Sequence, residues 1–157
     1  MKNTLARISM TLLLVSFMVF GTSTVNAAAA DCADTTTLVA GGSSGAICSS
    51  AAFTSGANTT INGNVSAKAA VTLGATSHVS GSVTAGAGFT SGDSAVVDGS
   101  VTAKAAYTSG ANSVVKGKVT AAGNIVLGAN SRIIGSVRSG TGVITYGAGA
   151  TVGKVLK

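Results

Sequence analysis

Few side chains in this sequence could carry chemistry. The stretch GGSSG at 41–45 fits G-x-S-x-G and puts Ser43 where a hydrolase nucleophile stands. His78 is the one histidine, glutamate is absent, and Asp93 and Asp98 are the only acids in the central part of the chain. An elbow serine needs a strand before it, a helix after it, and acid and histidine partners later in the chain. No helix is expected here, so GGSSG reads as a glycine–serine turn. His78 has no Cys, Asp or Glu at metal-ligand spacing. Asp93 and Asp98 form a catalytic pair only if they face one cleft. GAGFTSG at 86–92 has the wrong glycine spacing for a dinucleotide fingerprint. These readings give no enzyme, no metal and no cofactor.

Cys32 and Cys48 are the two cysteines. Their chemistry depends on compartment, which the first thirty residues address. Lys2 and Arg7 precede the apolar run ISMTLLLVSFMVF, and GTSTVNAAAA then supplies A-x-A-like cleavage sites. That is the layout of a secretory signal peptide over 1–30, with the mature chain starting between Ala28 and Asp31. The apolar core falls short of the roughly 20 residues that span a bilayer. Export favours oxidation of Cys32 and Cys48 to one disulfide. From Asp31 onward eight Lys and Arg stand against four Asp, a net charge of +4. So mild and diffuse a balance suits an anionic surface and does not argue for nucleic acid, which needs a clustered basic face.

The elements that position these side chains come from a repeat. VVDGSVTAK at 96–104 recurs in altered form at 60, 78, 114 and 132. Glycines fall at 45, 63, 81, 99, 117, 135 and 153, always eighteen apart, and a second series runs 56, 74, 92, 110 and 128. A fixed period this short marks a solenoid. Eighteen is even, so a strand's two-residue alternation stays in phase between repeats. Odd positions are mostly small or apolar; between 51 and 154 the only charge on an odd number is Asp93. One parity therefore faces in and the other out.

Stacking the inward side chains predicts an all-β, single-stranded parallel β-helix. It has 18 residues per coil, about six coils, and a step of about 4.8 Å. An antiparallel sandwich would not need glycines in such strict register. Corners are expected near Gly56, Gly63 and Ala69–Ala70, where glycine would take up positive φ. The expected core columns are Ile61, Val79, Val97, Val115 and Ile133, with Val65, Val83, Val101, Val119 and Val137. A stack of Phe53, Phe89 and Tyr107 joins them. Residues 31–50 read as a cap with the disulfide and a first partial coil, 51–140 as regular repeats, and 141–157 as an irregular terminal coil. In that last segment one residue is gained before Gly147 and one lost before Gly153.

The unit NIVLGANSRIIGSVRSG at 124–140, with weaker copies across 51–140, resembles the bactofilin family of polymer-forming bacterial proteins. The resemblance implies a triangular β-helix and end-to-end self-assembly without nucleotide, carried by the core columns just named. An export signal, two cysteines and few charges depart from that family and speak against a cytoplasmic role. A secreted, periplasmic or cell-surface structural protein whose partner is itself is the leading expectation. A second expectation comes from an outward column of Thr54, Thr72, Thr90 and Thr108, flanked by small residues. Threonine is a good strand residue on any solvent face, but hydroxyls and methyls repeating near 4.8 Å also approximate an ice spacing. In this the chain is similar to β-solenoid ice-binding proteins. A third expectation is adhesion to polysaccharide or other anionic surfaces through Lys68, Lys104, Lys116 and Lys118.

Overall fold

A computed structural model describes residues 33–157; the signal-peptide reading and Cys32 lie outside the described residues. The strands are short, mostly two or three residues, and each pairs in parallel with the strand one coil away. Three of them make a coil, and each series stacks into one face of a triangular rod. Face I is built on Val65–Ala67 and its equivalents, face II on Val71–Leu73, and face III on His78–Val79. Face II contains seven strands, so the rod has seven coils where the sequence predicted about six. Its six steps give a length of roughly 29 Å. Faces I and III belong to one 13-stranded sheet, because Arg132–Ser139 runs unbroken round the corner between them.

The register explains the extra coil. Between the regular coils each pair is separated by eighteen residues, as in Val83↔Val101 and Phe89↔Tyr107. At the N-terminal end the offset drops to seventeen, with Thr37↔Thr54 and Ser43↔Thr60, and pairing continues back to Ala33. An odd offset swaps parity, which hides this coil from an eighteen-residue scan. At the other end Leu127↔Tyr146 is offset by nineteen and Val137↔Val155 by eighteen. A bulge between Ile133 and Ser136 absorbs the difference. That is where the glycine series loses its extra residue.

The interior holds the inward columns. Ile61, Val65, Val79, Val83, Val97, Val101, Val115, Val119, Ile133 and Val137 are all at most 3% exposed. The aromatic stack is shorter than expected. Val71 lies between Phe53 and Phe89, so only Phe89 and Tyr107 stack, with centroids 5.3 Å apart and planes 12° from parallel. Burial pushes the Tyr107 phenol well above its ordinary range, and a hydrogen bond with Ser109 opposes the shift only partly.

Two expectations about the corners need correction. Asp93, on an odd number, is exposed, because alternation breaks where the chain turns. Nor is glycine the residue that takes up positive φ at the main corner. That position is held by Asn58, Thr76, Ser94, Asn112 and Asn130, with φ between 54° and 58°. The glycines instead admit a neighbouring coil: a Cβ on Gly99 would lie 2.6 Å from the Gly81 carbonyl carbon, and one on Gly117 2.6 Å from that of Gly99. Immediately after the positive-φ residue comes a buried column that is hydroxyl except at Ala95. Ser113 and Ser131 donate to the Gly110 and Gly128 carbonyls three residues back, at 3.0 and 2.8 Å. Thr59 donates to Ser77, which donates to Gly56 O. These bonds give the buried hydroxyls partners at the corner carbonyls.

Candidate functional site

Ser43 lies in the strand Ser43–Ser44, not in a turn, and no described residue is helical. It shares an outward column with Thr60 and His78, through Ser43↔Thr60 and Thr60↔His78. Two strand steps separate Ser43 from His78 by about 10 Å, beyond hydrogen-bond reach. The elbow context is missing and these two side chains do not meet.

His78 does have an acidic neighbour. Its Nε2 is 2.9 Å from Asp98 Oδ2, and Lys116 Nζ is 2.8 Å from Asp98 Oδ1. The Lys116 ammonium, and next the His78 ring, hold the Asp98 carboxyl below its ordinary value of 3.8. The three side chains come from three successive coils and lace them together on the outside of face III. The sequence contained the signal: Asp98 to Lys116 is one period, and His78 to Asp98 one period plus two residues. Asp93 stands apart at a corner, where its Oδ1 accepts from Ala111 N at 2.8 Å. Among the described residues no group of three His, Cys, Asp or Glu could hold a metal ion.

The four lysines expected to act together do not share a face. Lys116 pairs with Asp98 on face III, whereas Lys68, Lys104 and Lys118 are exposed on face I. Cys48 is half-buried on face I, in register with Asp34 and Ser66.

The threonine column on face II is longer than the sequence reading made it. Register adds Thr37 before Thr54 and places Val126 and then Thr145 after Thr108. The full column crosses seven strands and is interrupted once, by Val126. Thr37 and Thr145 were missed because they are offset by seventeen and nineteen residues.

The ends of the rod are of another kind. Tyr146 and Val155 continue inward columns, yet among the described residues no coil covers them, and they are 45% and 46% exposed. Val143 beside them is 48% exposed, and Ile144 and Val152 are only partly buried against the core. The strands Ile144–Tyr146 and Thr151–Leu156 each pair on one side only. At the opposite end Thr37–Leu38 is likewise an edge, with Val39 72% exposed beside it. An open parallel edge over an exposed apolar column is a template for another chain.

A family model described as "Bactofilin: Polymer-forming cytoskeletal" matches residues 54–154, well over half of the chain. The chain belongs to the bactofilin family. No curated protein and no solved structure matches it. The match begins at Thr54, in the second strand of face II, and ends within the last strand. It therefore takes in nearly all of the regular coils and the bulged terminal one, and it identifies a polymer-forming structural protein. The bactofilin-like β-helix that the repeat units implied is the fold observed.

Proposed function

We infer that this bactofilin is an exported, non-enzymatic structural protein that polymerises through the ends of its β-helix. The uncovered terminal coil is the observation that carries the reading. Tyr146 and Val155 top core columns and leave unpaired strand edges beside them. Burying that apolar surface and pairing the edge against a second copy continues the stacking that already holds the rod together. Export rests on the arrangement of residues 1–30, and a cell-surface or periplasmic scaffold is the role that follows from it.

The test is a Tyr146→Lys/Val155→Lys double variant compared with Thr90→Lys on face II. Sedimentation should show the double variant reduced to discrete rods with an unchanged far-UV spectrum. Thr90→Lys should still assemble. Full polymerisation of the double variant would refute assembly through this end.

The outward threonine column on face II, interrupted only by Val126, favours a second reading, an ice-binding face. Thermal hysteresis abolished by Thr72→Lys and Thr90→Lys is its signature. Absence of hysteresis in the parent chain removes it.

A further inference from the structure

Positive charge on this rod is sorted by face. Eight Lys and Arg fall among the described residues, and five of them, Lys68, Lys104, Lys118, Arg138 and Lys154, stand exposed on face I. Among the described residues the one acid on that face is Asp34 in the first coil, whose carboxylate already accepts from Ser50 N and Oγ at 2.9 and 2.8 Å. The strands of face II carry no charge, and on face III Lys116 is paired with Asp98, which leaves Arg132 as the exposed cation there with no ion pair among the described residues. Between the cations runs a rank of hydroxyls, Ser66, Thr84, Thr102 and Thr120, fixed in register by the sheet. Five coil steps, from Val65 to Val155, make this a strip roughly 24 Å long.

The strip has a recess. The outward column that places Lys68 and Lys104 at its cationic ranks falls to Ala122 and Gly140 in the next two coils. These small residues leave a shallow, open cleft of about 530 Å³ bounded by Lys104 and Arg138. Thr120 lines the cleft, and its Oγ1 is shielded from solvent without a protein partner.

We propose that face I binds an acidic linear polysaccharide, one of whose carboxylates sits in the cleft between Lys104 and Arg138 while its hydroxyls meet the threonine rank. A chain that carries hydroxyls beside its carboxylates matches a hydroxyl rank flanked by cations. A lipid surface fits less well. Interfacial binding buries apolar side chains beside the basic ones, and the exposed large apolar residues lie at the ends of the rod or on the other two faces. A nucleic acid strand fits less well too, because face I offers no aromatic ring on which bases could stack. The site does not depend on polymerisation, so its failure and the failure of assembly are separable.

The experiment measures binding of a labelled oligogalacturonate by fluorescence polarisation. It compares the parent chain, Lys104→Gln/Arg138→Gln, and Lys116→Gln/Arg132→Gln, which removes the same charge from face III. Binding should weaken about tenfold in the face I variant and stay within about twofold in the face III variant. Thr120→Val should give a smaller loss, and added salt should weaken binding of the parent chain. Far-UV spectra must match throughout. Equal losses in the two double variants would show that only net charge matters, and would overturn the proposal, as would no binding by the parent chain. Equal affinity for anionic vesicles or duplex DNA, with the same dependence on Lys104 and Arg138, would overturn the assignment to a polysaccharide.

Discussion

The corner column offers a prediction whose size can be worked out from its neighbours. Asn58, Thr76, Ser94, Asn112 and Asn130 occupy the same left-handed position in successive coils, and Gly149 continues it in the last. Their surroundings match: Asn58, Thr76, Ser94 and Asn112 each donate an amide to the next coil at 2.8 Å. All five are exposed, so no core contact changes with the side chain. A left-handed residue costs an L-amino acid about 1–2 kcal/mol. Asn reduces that cost through local hydrogen bonding, whereas a β-branched residue bears it in full. Thr76→Asn should therefore stabilise the rod by about 1 kcal/mol, and Asn112→Thr should destabilise it by about the same amount. A shift of about 4 °C in the thermal midpoint corresponds. Denaturant unfolding of unassembled protein is the assay, with the slope required to stay constant so that midpoints report stability. If both swaps leave the midpoint unmoved, the corner conformation is not what selects these residues.

Gly99→Ala should destabilise by about 1–3 kcal/mol, because its Cβ would strike the Gly81 backbone, as overpacking does in any dense core. Gly88→Ala is the control: its Cβ meets nothing closer than 3.3 Å, and unfolding should show a change within about 1 kcal/mol. Val101→Ala empties a fully buried site in the middle of the rod and should cost about 2 kcal/mol in the same assay. Asp98→Asn tests the lacing of three coils. The folded carboxyl titrates below 3.8, so its contribution is present above that pH and is lost as pH falls through the folded value. The stability gap between parent and variant, under about 1 kcal/mol for so exposed a pair, should be visible at pH 5 and close below 3.8.

The sequence made the parallel solenoid legible because an even period leaves two signals superposed: glycines in register and parity that never drifts. Both signals fail where the period slips by one. The slip to seventeen concealed the first coil and Thr37, and the slip to nineteen concealed Thr145 and the place of Tyr146 at the open end. A scan for the period alone also misreads polar residues inside. Ser77, Ser113 and Ser131 are buried where they donate to corner carbonyls, and Thr59 where it donates to Ser77, roles that hydrophobic patterning does not register. His78 looked solitary along the chain, yet neighbours on a solenoid surface lie one period away, give or take two residues. Face-by-face charge needs the same folding of the sequence onto columns. Lys116 and Lys118 are two residues apart and belong to different faces.

Negative-stain microscopy of the purified chain tests end-to-end assembly most directly. Filaments one rod wide, growing with protein concentration and shortened by capping the Tyr146–Val155 end, are the result expected. Isolated rods of seven coils at every concentration and salt would contradict it.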